Sequence, residues 1–226
     1  MPRTLTATVY TYRELCPEAQ VKVRDWFRTI ESETFEPDVY YEDFLMCAAC
    51  LGIDIDKRDT KLSGGRVRQD PAIYWSGFAS QGDGARFEGT YGAKDIPLGE
   101  TAESRIKAHA PKDETLHNIA LTLDSLQATY KQRLVALVKH HDSHYEHSHT
   151  ADITCWYDDP EDGSEPLEVT IEDEQCLKAA LRRFMDWMYR QLEAEYEYRL
   201  SDEAVIESIE LNDYEFTAKG ERRILI

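Results

Sequence analysis

The segment Ile73-Tyr-Trp-Ser-Gly-Phe-Ala-Ser-Gln-Gly-Asp-Gly-Ala-Arg-Phe-Glu-Gly-Thr-Tyr91 constrains the fold more than any other part of this 226-residue chain. Two runs rich in aromatic residues flank a Gln-Gly-Asp-Gly turn, a spacing that predicts an antiparallel hairpin. On the first arm Ile73, Trp75 and Gly77 share one face, and Tyr74, Ser76 and Phe78 the other. The second arm alternates Phe87, Gly89 and Tyr91 against Arg86, Glu88 and Thr90. Glycine within a strand forgoes side-chain packing, so these glycines predict a bulge or the close approach of another backbone or of a ligand. If the approaching group is a ligand, Tyr74, Ser80, Gln81, Asp83 and Arg86 are the residues expected to line its pocket.

The rest of the chain reads as strands and long helices. Residues 4–12 alternate and predict a first strand. Pro17 suits the first turn of a helix over 17–30, with Val21, Trp26 or Phe27, and Ile30 buried. Asp38 is expected to cap a second helix whose stripe is Tyr40, Phe44, Cys47 and Leu51, ended by Gly52 and followed by a short strand over 53–56. Residues 57–71 are polar and glycine-bearing and predict a loop. Residues 94–112 predict a connector with one short helix. Asp113 should then cap a helix running to about 140, with Leu116, Ile119, Leu123, Leu126, Tyr130, Leu134 and Leu137 at helical spacing. Strand character returns over 142–157. A second long helix is expected over 171–198, with Leu177, Leu181, Phe184, Met188 and Leu192 buried. Ser201 caps a short helix over 202–211, and 215–226 reads as a strand or strand pair. No repeat or low-complexity linker interrupts the chain, so a single α+β domain over 1–226 is expected: an antiparallel sheet with long amphipathic helices packed on one side.

Charge narrows the function classes. The formal net charge of −18 disfavours direct binding to nucleic acid or to an anionic membrane and favours encounter with basic proteins. No apolar run reaches the length of a membrane span, and the first residues lack a signal peptide's apolar core, so a cytoplasmic protein is expected. Residues 152–175 contain no Lys or Arg. There Asp158, Asp159, Glu161, Asp162, Glu165, Glu172, Asp173 and Glu174 form a candidate docking surface for a basic partner. Carboxylates spaced along such a surface could also mimic nucleic-acid phosphates. A second acidic cluster comprises Glu193, Glu195, Glu197, Asp202, Glu203, Glu207 and Glu210.

Catalytic motifs are hard to assemble. The Ser76–Gly82 stretch lacks Gly-x-Ser-x-Gly spacing, and no Gly-Lys-Ser/Thr follows a glycine-rich loop. Cys47 and Cys50 form a Cys-x-x-Cys pair within an apolar helix, with no second pair at zinc spacing, so both are expected to be core thiols. Five cysteines, an odd number, suit a reducing compartment. The histidine run from His140 to His149 places His147 and His149 on one strand face and His144 and Glu146 on the other, which is not a complete metal site. No cofactor is therefore expected. The apolar stripes of the two long helices leave a homodimer as a further expectation.

Tyr12-Arg-Glu-Leu-Cys-Pro-Glu-Ala-Gln-Val-Lys-Val-Arg-Asp-Trp26 resembles the opening of a family of uncharacterised tailed-bacteriophage and prophage accessory proteins, some labelled antitoxin-like. The resemblance continues at Tyr41-Glu-Asp-Phe44, Leu51-Gly-Ile-Asp-Ile55, the Ser-Gly-Phe-x-Ser-Gln-Gly-Asp-Gly-Ala segment, Tyr145-Glu-His-Ser-His-Thr150 and Asn212-Asp-Tyr-Glu-Phe-Thr217. It implies a non-enzymatic protein that binds and inhibits a bacterial host protein, such as a defence complex or toxin. A small-molecule or nucleotide-binding module built on the glycine hairpin, sequestering its ligand or hydrolysing it with metal held by the histidines, is the alternative expectation.

Overall fold

The computed structural model describes residues 8–62, 64–94, 96–140, 145–158 and 167–222. In chain order the helices are α1 (Pro17–Glu33), α2 (Asp38–Cys50), α3 (Ala102–His109), α4 (Glu114–Thr129), α5 (Ile171–Arg199) and α6 (Asp202–Leu211). The strands are β1 (Ile53–Ile55), β2 (Lys57–Lys61), β3 (Val67–Pro71), β4 (Ile73–Trp75), β5 (Ala85–Phe87), β6 (Gly89–Tyr91), β7 (Leu134–His140) and β8 (Ala151–Tyr157). The fold is α+β with antiparallel sheets. It resolves into two compact units, residues 38–191 and residues 1–37 with 192–226.

The larger unit is organised around a sheet in the order β1-β6-β7-β8, with the ribbons β2-β3 and β4-β5 beside it in sequence. On β7, Leu134, Ala136 and Val138 are buried, and Ala151, Ile153 and Tyr157 of β8 continue that face. Val135 and Leu137 are only half-buried and Trp156 is exposed, so one sheet face is covered and the other open. The stripe Leu177, Leu181, Phe184 and Met188 of α5 is buried throughout, as its period requires. Phe184 stacks on Trp187 and meets Phe87 edge-on.

Between residues 57 and 140, three elements differ from the sequence reading for identifiable reasons. The predicted loop 57–71 is the two-stranded ribbon β2-β3, with the glycines confined to its turn. Its strands are polar because they are largely solvated, which hid their alternation. The helix expected to reach 140 stops at Thr129, because Lys131 and Gln132 take positive φ of 52° and 63°. The buried Gln127 amide then donates to the Leu134 carbonyl and accepts the Leu134 N–H (2.7 and 3.2 Å), so Leu134 and Leu137 begin a strand. In the hairpin, the strand breaks at Glu88, just before Gly89, and β5 pairs with β4 while β6 pairs with β1 and β7. A Cβ on Gly89 would lie 2.1 Å from the Asp54 carbonyl oxygen, so the switch between sheets needs glycine.

The smaller unit is helical. Tyr12, Leu15, Ala19, Val23 and Phe27 pack with Val205, Ile209 and Phe216. The buried stripe of α1 is thus Ala19, Val23 and Phe27 rather than one through Val21, which is 46% exposed. The expected strand over 4–12 reduces, in its described part, to Tyr10 bridging Phe216, and Tyr12–Glu14 form a 3-10 turn. Ser201 caps α6 by accepting the Ala204 N–H, as the sequence predicts. The expected strand pair over 215–226 appears as isolated bridges at Phe216, with 223–226 outside the described residues.

Candidate functional site

The hairpin glycines do mark a close approach, and what approaches is the chain itself. Tyr145 and the residues after it lie over the loop 76–84. A Cβ on Gly82 would meet the Tyr145 ring at 2.7 Å, and one on Gly84 would meet His147 at 2.8 Å and the Glu146 carbonyl oxygen at 3.1 Å. Ser76 Oγ donates to the Glu146 carbonyl (3.3 Å) and accepts the Gly84 N–H (3.2 Å). The overlying segment is braced internally: Thr150 Oγ1 donates to the carbonyls of Tyr145 and His147, and His147 Nδ1 accepts the His149 N–H. The His147 and His149 rings stack at 5.3 Å, but they belong to the 3-10 turn Ser148–Thr150 and the residue before it; the strand expected over 142–157 begins only at Ala151, and 141–144 lie outside the described residues.

The five residues expected to bind a ligand have internal roles or separate positions. Arg86 is 3% exposed. Its Nε donates to Glu146 Oε2 (2.5 Å), its terminal nitrogen to Glu88 Oε1 (3.0 Å), and its guanidinium lies 4.0 Å over the Tyr74 ring. The same ring carries Arg58 at 4.7 Å. Asp83 Oδ2 accepts the N–H groups of Ala79 and Ser80, fixing the loop. Ser80 and Gln81 are exposed at its tip. Phe78 stacks on Trp75 and contacts Tyr189, whose hydroxyl donates to the Gly77 carbonyl. The loop is a self-packed plug.

The first acidic cluster divides similarly. Asp159, Glu161, Asp162 and Glu165 lie outside the described residues. Asp158 is exposed, its N–H donating to the Arg133 carbonyl. Glu172, Asp173 and Glu174 form the first turn of α5, where negative charge suits the helix dipole. Asp173 accepts the Tyr130 hydroxyl proton (2.7 Å) and Glu174 pairs with Lys178 (2.7 Å). Glu172 stays exposed and makes no ion pair among the described residues.

The second cluster builds a groove in the smaller unit. Its walls are Glu31 from α1, Glu195, Tyr198 and Arg199 from the end of α5, and Glu207, Ser208 and Leu211 from α6, around about 360 Å³. The inward faces of α1 and α6 are committed to the core, so Glu31, Glu207 and Leu211 fall on the remaining face. Arg199 Nε donates to Glu195 Oε1 (2.7 Å), and its guanidinium lies 5.3 Å over the Phe35 ring. Glu31 and Glu207 make no ion pair among the described residues, so three carboxylates face one arginine. Tyr198 and Leu211 are 52% and 76% exposed beside them. A second groove, lined by Tyr12, Arg13 and Glu210, differs in that Arg13 grips Glu210 with two nitrogens and neutralises it. Glu195 and Glu207 were visible as sequence charge, but Glu31 arrives only through the α1–α6 packing.

A family model described as a domain of unknown function, DUF8835, matches residues 37–202, which span the larger unit and end at the start of α6. No curated protein and no solved structure matches the chain.

Proposed function

The chain belongs to the DUF8835 family, a domain of unknown function, so the reading rests on the site itself, and we propose that the protein acts without catalysis, by docking the groove of its smaller unit onto a basic surface of a partner protein. The observation that carries this is the pair of unneutralised carboxylates, Glu31 and Glu207, beside exposed Tyr198 and Leu211. Like charges gathered on a concave surface cost stability unless a cation relieves them. A lysine or arginine of the partner supplies that cation. The aromatic and aliphatic residues beside the carboxylates add buried area, and the net charge of −18 accelerates encounter. The phage-family resemblance points to a bacterial defence complex or toxin as the partner, with the bacterial cytoplasm as the setting. Self-packing of the hairpin and the engagement of Arg86 weigh against the nucleotide-binding alternative.

The test is capture from bacterial lysate at low salt by the purified chain and by its Glu31→Gln/Glu195→Gln/Glu207→Gln variant. A basic protein retained by the first, eluted by salt and missed by the second is the expected result. Equal capture by both, or none by either, would overturn the groove reading.

A further inference from the structure

One side-chain cluster of the larger unit is used neither by the hairpin nor by the groove reading. Asp43 and Cys47 lie four residues apart on α2, so both project from one helix face a turn apart. Helix α3 packs against α2 and ends on His109, whose Nε2 is 2.9 Å from Asp43 Oδ1. A carboxylate oxygen, the Cys47 sulfur and an imidazole nitrogen all lie within 4.8 Å of one another. Cys47 is 1% exposed, whereas Asp43 and His109 reach solvent. The plain structural reading is an Asp–His pair pinning two helices over a core thiol. Core thiols, however, ordinarily face apolar neighbours, and this sulfur lies within 4.8 Å of an Asp43 carboxylate oxygen and a His109 ring nitrogen.

We propose that Asp43, Cys47 and His109 form a Zn²⁺ site, supplying three ligands and leaving the fourth position to water. The donor set selects the metal: oxygen-seeking Mg²⁺ and Ca²⁺ do not favour thiolate, whereas one sulfur, one nitrogen and one oxygen suit zinc. Tetrahedral zinc with bonds of about 2.0–2.3 Å needs ligand atoms about 3.3–3.6 Å apart. The Asp43–His109 pair, at 2.9 Å, must therefore open slightly, a movement that rotation of two solvent-reaching side chains provides. Burial first, then the Asp43 carboxylate, push the Cys47 thiol up to about 12, so the metal-free sulfur is protonated at neutral pH. The Asp43 carboxylate within the cluster supplies negative charge for a dication, and on binding the thiol proton passes to solvent as the sulfur–zinc bond forms. Asp113 is held beside the site as the cap of α4, its oxygens accepting the Leu116 N–H (2.9 Å) and the Trp187 Nε1–H (2.7 Å).

The experiment is titration of the chelator-stripped full chain with Co²⁺, followed by displacement with Zn²⁺. One equivalent should produce a thiolate-to-cobalt charge-transfer band and tetrahedral d–d absorption, both erased by Zn²⁺. Cys47→Ser should abolish the charge-transfer band. His109→Gln, at a solvent-reaching position that leaves folding intact, should weaken cobalt binding at least about tenfold. His147→Gln/His149→Gln should leave both readouts unchanged. Absence of the band in the unaltered chain, its survival in Cys47→Ser, or an affinity that ignores His109→Gln and follows His147 and His149 would each overturn the site. Should Cys47→Ser fail to fold, the His109→Gln arm decides alone.

Discussion

In the larger unit, the loop 76–84 carries Gly82 and Gly84 directly beneath Tyr145 and His147, its Asp83 accepts two backbone N–H groups of the same loop, and the adjacent Arg86 is paired with Glu146. In the smaller unit, the groove has no unusual residue, yet Glu31 and Glu207 face outward without an ion pair among the described residues. The conspicuous motif is closed and the inconspicuous helices are open. Glycine removes a side chain so that something can come close, and here that something is the chain's own segment 145–150. Glutamates on a helix face are ordinary in sequence. Only the packing of α1 against α6 makes them concave and concentrated. Distinctiveness in sequence therefore marks steric demand in this molecule, while the surface suited to a partner is assembled tertiarily.

The strongest blow to that contrast would come from glycine substitutions. Gly89→Ala puts a Cβ 2.1 Å from the Asp54 carbonyl oxygen at a φ of +156° and should cost about 3–5 kcal/mol, reducing the urea midpoint sharply or preventing folding. Gly84→Ala, against the His147 backbone at 3.0 Å, should cost about 2–3 kcal/mol. If Gly84→Ala proves neutral in urea titration, the overlying segment is not a fixed plug and the hairpin is open to a ligand after all.

Arg86→Met comes next. It keeps the apolar stem over Tyr74 but leaves Glu88 and Glu146 without their cation. Both carboxylates keep some solvent, at 23% and 30% side-chain exposure, so the loss should be about 2–3 kcal/mol, below that for a fully buried pair. A smaller loss by chemical denaturation, under about 0.5 kcal/mol, would mean that Arg86 is available for other work.

What the sequence revealed divides along the same line. Helix α5 and the Ser201-capped α6 were legible because period and cap are local signals, and both agree with the structure to within a residue. The Asp113 cap was equally legible, while the end of α4 was not. Leu134 and Leu137 fit a helical stripe as well as a strand, and the choice lies in Gln127 gripping Leu134 and in two positive-φ residues. The β2-β3 ribbon was unreadable because neither of its faces is apolar. At the candidate sites, the approach over the glycines was foreseen but not the group that approaches. Asp43 and Cys47 show their spacing in sequence, whereas His109, 62 residues beyond Cys47, joins them only when α3 docks on α2.

Asp70 offers a smaller, pH-dependent probe, since it is an acid of the larger unit with internal partners. Hydrogen bonds from Thr60 and then from Arg68 hold its carboxyl below the ordinary value, and Arg68 also reaches Asp38 at 2.8 Å. A depressed folded-state pKa contributes stability that is complete above the unfolded value and is lost as pH falls through the folded one. Between about pH 5 and pH 3, Asp70→Asn should therefore lose less stability than the unaltered chain. Arg68 is half exposed, so the difference should stay within about 1 kcal/mol. Parallel acid limbs in thermal melts would remove Asp70 from the partnered class.

The smallest stability effect is expected where the proposed function lies. Neutralising Glu31 and Glu207 to glutamine removes repulsion within the groove and breaks no ion pair among the described residues. Stability should rise by a few tenths of a kcal/mol at low salt, and the gain should vanish in concentrated salt as the charges are screened. Such a gain would show that the carboxylates persist at a cost to the fold, as a surface awaiting a cationic partner does. A loss above about 1 kcal/mol would mean instead that Glu31 and Glu207 hold the smaller unit together. The groove would then be as self-occupied as the hairpin, and the contrast between the two regions would collapse.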